Sequence, residues 1–441
     1  MTASARHCIA PRDVYSPGLA EVRILMVSED LPMPCMGGLA RHVLALSAAL
    51  IAEGHQVDLM GNDDYPPTLS DEVMRFGGRF FAVLNGQFDG WKEISLGVFM
   101  PPKRSVIARR FARTILRYAD AYDVIHYHGH LPNLARYLPS DVNFIQTRHD
   151  QGSDCLIHTR FARGKICESI DPSDCAGCRH WKPNLIQRQV SALAVRQFRD
   201  EVKQGFLRHK TVFVSDFLQR NLQRSFRPGT WGVTVHNFID VVALQSAQSS
   251  VAPPAASGPL QVFVAAKLYP AKGVGSLLTA LDRLQAQHTL QLDIAGDGSE
   301  EAMLREQYSW AHFHGWQSGE QTLRLAARAH AIVVPSVCEE ACASTVLEAL
   351  MLGKTVFALR LGGTPELARY ASAPDQLRLF DDMESLASAL QSFVPRADLQ
   401  LAPGRHADAR TAARQLLGLY QLPAGPLTSV RALSSAYLVA T

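Results

Sequence analysis

Glu340 and Glu348 stand with seven residues between them in the stretch PSVCEEACASTVLEALMLGKTVFALRLGGTPEL. The apolar run from Ala331 to Val334 reads as a strand, Pro335-Ser336 as its exit, and Ser344 to Leu352 as the helix that follows. That reading puts Glu348 inside the helix and Glu340 in the loop before it. A carboxylate accepts hydrogen bonds from hydroxyl groups, whereas the amides and dipole of a helix N-terminus attract anions. Two carboxylates near such a terminus, in front of the Gly362-Gly363 turn, suit a ligand that carries hydroxyls and phosphates together. A sugar nucleotide is such a ligand. A lone pair of glutamates at a helix start is ordinarily solvated charge, so the weight rests on what surrounds the pair.

The elements that would position these residues form two halves with one grammar. Val22 to Val27 (VRILMV) reads as a strand, followed by a loop with Pro32, Pro34 and Gly37-Gly38. A helix is expected from about Leu39 to Glu53, with Val43, Leu46, Leu50 and Ile51 at helical spacing; Gly54 stops it, and VDLM begins another strand. Weaker strands are expected at Asp123-Val124-Ile125, from Asn143 to Gln146 and from Thr211 to Val214. After a low-complexity linker, Gln245 to Pro259, the pattern restarts: strand Val262 to Ala265, helix Val274 to Gln287, strand Leu290 to Ile294, then strands Ala331 to Val334 and Thr355 to Ala358. Strand, turn, helix, strand is the grammar of parallel α/β sheets. The expected fold is therefore α/β, two facing Rossmann-like doubly wound domains with ligand sites at facing strand C-termini. The boundaries read as a tail 1–21, an N-terminal domain 22–244, a linker 245–259, a C-terminal domain 260–405, and a final helix and tail 406–441, the helix (about Ala407 to Tyr420) crossing the domain junction.

At 441 residues two domains of ordinary size are expected, and 47% hydrophobic with 19% charged residues is a soluble, globular composition. No apolar run approaches the roughly 20 residues of a membrane span, and the first twenty residues lack the apolar core of a signal peptide. A cytoplasmic location is the default expectation. A net charge of +3 is too small to argue for nucleic acid as a partner.

Eight cysteines in so long a chain do not suggest a disulfide scaffold. Four of them, Cys155, Cys167, Cys175 and Cys178, cluster in a polar, basic stretch that has no core of its own. One C-x2-C with two looser partners is a candidate structural zinc set, and free or redox-labile thiols are the alternative. His126, His128 and His130 alternate in HYHGH; at a strand end they read as packing or contact residues before they read as metal ligands. In the span 103–118, Ile107, Phe111, Ile115 and Tyr118 form an apolar stripe, with Lys103, Arg104, Arg109, Arg110, Arg113 and Arg117 around it. Such a helix either lies on an anionic membrane surface or packs on the core with a solvated basic face.

With these motifs in this order the chain resembles the retaining glycosyltransferases of family four (glycosyl transferases group 1, GT-B fold). The resemblance covers about residues 22–420 and is strongest from Lys267 to Leu367. It implies that Glu348 binds the nucleotide ribose and that Glu340 holds hydroxyls of the donor sugar. By the same likeness Lys267 and Lys272, in AAKLYPAKG, face the diphosphate, and two cations suit a leaving group that this fold usually stabilises without a metal. Gly362, Gly363 and Thr364 resemble a turn whose amides face the donor, and Gly37-Gly38 a turn near the phosphates and acceptor. His149, in TRHD, aligns with a histidine bordering the donor sugar. Asn237, in VHNFID, matches a usual Asn-Gly position, with Phe238 in place of the glycine. Ala266-Lys267 replaces the usual Gly-Arg, which keeps the charge and loses the fork geometry; Cys342 and Ala343 replace the usual Phe and Gly.

The expected activity is transfer of a hexosyl unit from a nucleoside diphosphate sugar to an acceptor hydroxyl, with retained configuration, in polysaccharide or glycolipid assembly. No cofactor is required for catalysis on this reading. The acceptor is a saccharide or a lipid-linked one, and the nucleotide base stays open between uridine and guanosine. The alternatives are a non-catalytic sugar-nucleotide sensor or scaffold and an epimerase on the same fold; no lysine is set aside for the pyridoxal cofactor of a phosphorylase.

Overall fold

The computed structural model describes residues 20–32, 38–63, 73, 76–84, 101–175, 178, 184–226, 231–252, 254, 258–395 and 407–427. The N-terminal half is built on a seven-stranded sheet: β1 Arg23–Val27, β2 Gln56–Asn62, β3 Phe80–Leu84, β4 Val124–His128, β5 Phe144–Arg148, β8 Lys210–Phe213 and β9 Val233–Thr234. Its order is β3-β2-β1-β4-β5-β8-β9, with every neighbouring pair parallel. Between β5 and β8 a small antiparallel hairpin, β6 Phe161–Ala162 and β7 Lys165–Ile166, stands apart. The second sheet comprises β10 Leu260–Ala265, β11 Leu290–Ala295, β12 His312–Gly315, β13 Ala331–Val334, β14 Thr355–Leu359 and β15 Leu377–Phe380, all parallel in the order β12-β11-β10-β13-β14-β15. Strands such as VIHYH, AIVV and TVFAL are buried along their whole length, as parallel strands covered on both faces must be.

Strand order reverses between β1 and β4 in one sheet and between β10 and β13 in the other. Loops leaving the C-terminal ends of strands diverge at such points and open a crevice. Glu29, Asp30 and His130 follow β1 and β4; Lys267, Lys272 and Glu340 follow β10 and β13.

The first helix, α1 Gly38–Ala52, buries Val43, Leu46 and Leu50 at the expected spacing. The basic helix α2 Pro101–Leu116 sets Ile107, Phe111 and Ile115 into the core with Leu25, Val27 and Met60, while Arg109, Arg110, Arg113 and Arg117 face solvent. Arg104 departs from that basic face: it is 2% exposed, donates to the Leu156 carbonyl at 3.0 Å and stacks over Phe198. The core-facing reading of this helix is the one the structure displays. Among the described residues no helix is long and apolar enough to cross a membrane.

Two boundaries differ from expectation. The low-complexity stretch, which follows α3 Leu185–Phe206, is helical at its start, because Asp240 caps α4 Val241–Ser249 by accepting the Ala243 amide at 3.0 Å, so Gln245–Ser249 are helical. The helix expected to run to Gln287 ends at Arg283 (α5 Val274–Arg283), since Gln285 turns left-handed at φ 52°. The last helix, α6 Ala409–Tyr420, packs on α1 in the N-terminal half; Arg410 and Arg414 pair with Glu53 there.

Tyr420 donates to or accepts from His126 Nδ1 at 2.7 Å in the buried seam, and Nε2 of the same ring meets Thr147 Oγ1 at 2.7 Å. Tyr420→Phe strands one buried ring nitrogen, and a lost partner of that kind costs about 1–3 kcal/mol. The expected outcome is a lower urea midpoint for the N-terminal half; an unchanged midpoint would show the seam to be held by packing alone.

Candidate active site

The loop after β10 is locked to the loops after β11 and β13. Leu268 N donates to Asp297 O at 2.8 Å, and Val337 N and Cys338 N both donate to Ala271 O, at 3.0 and 3.2 Å. Gly273 sits at φ 68°, and a Cβ there would lie 2.0 Å from the Pro335 carbonyl, so only glycine lets the loops meet. The contact sets Lys272 against Glu340: the two form an ion pair, and Ser336 Oγ donates to Glu340 Oε1 at 2.8 Å. Burial pulls the Lys272 ammonium down, but the adjacent carboxylate outweighs it and the pKa ends above the usual value. Burial likewise pushes Glu340 up, and Lys272 with Ser336 brings it below the usual carboxylate range. Both groups are therefore charged at neutral pH. Lys267 lies apart from this pair, half exposed, bound to Asp297 Oδ1 at 2.5 Å.

Glu348 lies on the helix Ser344–Met351. Ser344 and Glu348, one turn apart on Ser344–Met351, line a cleft of about 600 Å³ between the halves. Its other wall carries Arg41, His42, His149, Asn237 and Phe238. Burial raises the Glu348 carboxyl above its usual value, and Arg41 reaching across the boundary lowers it only in part. Lys272 and Glu340 are not among the residues lining that cleft; Glu340 stands on the loop that leads into its helix, and Lys272 on the loop after β10.

On the N-terminal side, His149 Nε2 and His128 Nδ1 are 3.0 Å apart, and His42 lies edge-on to His149 with ring centroids 4.8 Å apart. Burial pushes His42 down to about 3 and holds His128 and His149 well below the usual range, so all three rings are neutral. His126 points into the α6 seam and is also pushed to about 3 by burial. His130 belongs to a separate network, with Asp30 Oδ2 at 3.3 Å and Asp150 Oδ2 at 3.4 Å, while the same Asp150 oxygen lies 2.9 Å from His158 Nδ1. The alternating histidines thus serve three different environments, not one metal centre.

Gly362, at φ 59°, packs against the Glu340 backbone, where a Cβ would lie 2.3 Å from its carbonyl oxygen. The Gly363 amide donates to that carbonyl at 2.8 Å, so this turn supports the Glu340 loop, and Thr364 is buried behind it. Gly38 opens α1 beside the cleft; Gly37 lies outside the described residues. Asn237 Nδ2 donates to the Cys342 carbonyl at 3.1 Å, and Phe238, where a glycine was the family pattern, stacks on His42 at 4.2 Å. Cys155, Cys167, Cys175 and Cys178 lie away from the cleft around a small cavity of their own.

Arg41, His42 and Glu366 were not singled out in the sequence. Arg41 and His42 follow Gly38 by one helical turn, a position facing the strand C-termini, and that placement was the available signal. Glu366 accepts the Asp216 and Phe217 amides at 2.8 and 2.6 Å and Arg220 Nη2 at 2.9 Å, joining the halves. No pattern local to TPEL announces a partner 150 residues away.

Because the folded-state pKa of Glu348 is raised, folding holds its proton more tightly than the unfolded chain does. Its charge therefore costs stability once pH rises through the ordinary 4.5, and the cost vanishes below it. Glu348→Gln is expected to melt higher than the parent at pH 7, with the gap closing as pH falls towards 4.5; a variant that melts lower at both pH values would contradict this.

Two family models match the chain: Glycosyltransferase Family 4 over residues 36–242 and Glycosyl transferases group 1 over residues 258–394. A glycogen synthase of Mycobacterium tuberculosis is 27% identical over 368 residues, 78% of this chain and 80% of that protein. The sucrose-phosphate synthase of Thermosynechococcus elongatus superposes with a TM-score of 0.57 at 18% identity, covering 95% of this chain and 98% of that one. Anabaena HepE in complex with UDP and glucose superposes with a TM-score of 0.52 at 15% identity, covering 95% and 99%. Both halves match in chain order, each on its own parallel sheet, and the chain belongs to the family-four glycosyltransferases, glycosyl transferases group 1, with the GT-B fold.

Proposed function

We propose that the protein moves a hexosyl unit from a nucleoside diphosphate sugar to an acceptor hydroxyl with retention of anomeric configuration. The observation that carries this is the joint placement of Glu348 and Ser344 on one cleft wall and Arg41, His42 and His149 on the other. Glu340, paired with Lys272 from the loop after β10, stands on the loop entering the same helix. On this reading Glu348 accepts from the ribose hydroxyls, and Glu340 from hydroxyls of the donor sugar. Lys272 and Lys267 stabilise the departing diphosphate as charge develops on it. Each lysine is held by an acid in the ligand-free arrangement, Lys272 by Glu340 and Lys267 by Asp297. Donor binding exchanges those acids for phosphate oxygens and frees the Glu340 carboxylate for the sugar. The neutral His149 borders the sugar, where an uncharged donor or acceptor interferes least with a cationic transition state. The donor phosphate itself takes the acceptor proton, so no dedicated general base is assigned.

The HepE complex holds UDP and glucose, and a starch synthase relative in structure holds ADP and acarbose. These make UDP-hexoses and ADP-hexoses the first donors to test, with GDP-hexoses beside them, and a saccharide the first acceptor. A thermal-shift panel identifies the donor, because a ligand that binds only the folded form raises its melting temperature. Nucleotide release with and without acceptor separates an enzyme from a sensor. With the active pair in hand, Lys272→Ala is expected to lower kcat by about 10²–10³, and Glu348→Ala to weaken donor binding by about 1–3 kcal/mol. NMR of the product is expected to show retained configuration. Near-normal rates in both variants would sink the assignment.

A further inference from the structure

We propose that Cys155, Cys167, Cys175 and Cys178 are the ligands of one structural zinc ion that pins the segment following His149. The four residues come from a hairpin, a loop and a short helical turn, Pro172–Cys175, yet all four line a single cavity of about 40 Å³. That volume suits one ion and is too small for a cluster of several metals with bridging sulfides. Zinc is the fitting ion, because four thiolates form the closed tetrahedral set that it takes in structural sites.

The surroundings offer the sulfurs hydrogen-bond donors and positive charge. The amides of Ile157 and Arg160 point at the Cys155 sulfur, a turn in which backbone N–H groups donate to it. Zinc with four thiolates carries net negative charge, and two buried guanidinium groups share the cavity wall. Arg199, 8% exposed, places Nη2 at 3.3 Å from Cys175 Sγ, and Arg160, 2% exposed, is paired with Asp154. Hydrophobic packing holds little of the segment: of the described residues in 155–178, Leu156 lies in a core cluster and Cys175 packs against it. Its backbone is also strained, with His158, Arg160 and Arg163 at φ 62°, 46° and 55°, a conformation that persists where surroundings enforce it.

The sulfurs are not among the groups whose ligand atoms already converge within 4.8 Å, so closing the tetrahedron requires rotation of cysteine side chains. The three groups that do converge are otherwise explained. His42, His128 and His149 line or adjoin the cleft; His130, Asp150 and His158 are an ion-pair network; Glu366 is saturated by two amides and an arginine. The ion's role would be positional. Gln151, four residues before Cys155, donates through Nε2 to the Glu339 carbonyl across the domain boundary at 3.0 Å and accepts from Asn221. A fixed cysteine loop therefore steadies both His149 and the backbone beside Glu340.

The test is metal analysis of the full-length protein purified reduced and without chelator. About one zinc per chain is expected, released by a thiol-blocking mercurial in step with modification of four cysteines. Cys175→Ser and Cys178→Ser are each expected to lose most of the zinc, whereas Cys338→Ser, outside the cluster, keeps it. Should the ligand variants fail to fold, cobalt replacement in the parent protein decides: intense visible bands of tetrahedral thiolate coordination support the site, and weak octahedral bands overturn it. Absence of stoichiometric metal from the reduced protein, two disulfides within the segment by mass spectrometry, or zinc retained in both ligand variants also overturns it.

Discussion

Charge held at a domain boundary is the constraint on which the rest depends. A carboxylate taken out of water needs a cation, a set of donors or a proton. Glu340 has its cation and its hydroxyl within its own domain, from Lys272 and Ser336. Glu348 has neither so close; the cation that lowers its pKa, Arg41, belongs to the other domain. An acid of this kind is costly to keep charged in the empty protein.

The halves are joined by polar contacts as much as by apolar ones. Glu366 takes two amides of the N-terminal half, Gln151 reaches the Glu339 carbonyl, and Asn237 reaches the Cys342 carbonyl. One apolar cluster also crosses the boundary, with Phe213 and Leu218 on one side and Ala341 and Val346 on the other. The contacts concentrate on the Glu339–Ala343 loop, so the geometry of the Glu340 carboxylate answers to both domains. The Gly362 turn beneath it and the Gly273 turn beside it leave that loop little freedom.

The two walls of the cleft differ in character. The C-terminal wall and its adjoining loops carry fixed charge: Glu340, Glu348, Lys267 and Lys272. The N-terminal wall carries His42 and His149, which burial keeps neutral, and the apolar face of Phe238. A charged nucleotide end and an uncharged sugar end match that division. The cysteine segment lies behind the neutral wall, where the chain leaves β5 and His149 and has little apolar material with which to hold itself.

Much of the scaffold is legible in the amino acids. Apolar runs such as VRILMV and AIVV can only be buried strands, and the helical spacing of Val43, Leu46 and Leu50 requires one covered face. The glutamate spacing around a helix start was readable for the same reason: it is local, and helix geometry follows from local pattern. Short strands with mixed residues, β3, β9, β12 and β15, were not readable, because their pairing is decided by neighbours distant in the chain. The same holds at the site. Residue types and spacing established which groups could carry charge and coordinate metal; whether Lys272 meets Glu340 and which of three alternating histidines meets His149 depended on how loops and strands of one sheet pack, and whether Arg41 crosses to Glu348 on how two sheets approach each other. Coulombic and hydrogen-bonding partners are set by distance in space, and that distance does not exist until the chain is folded.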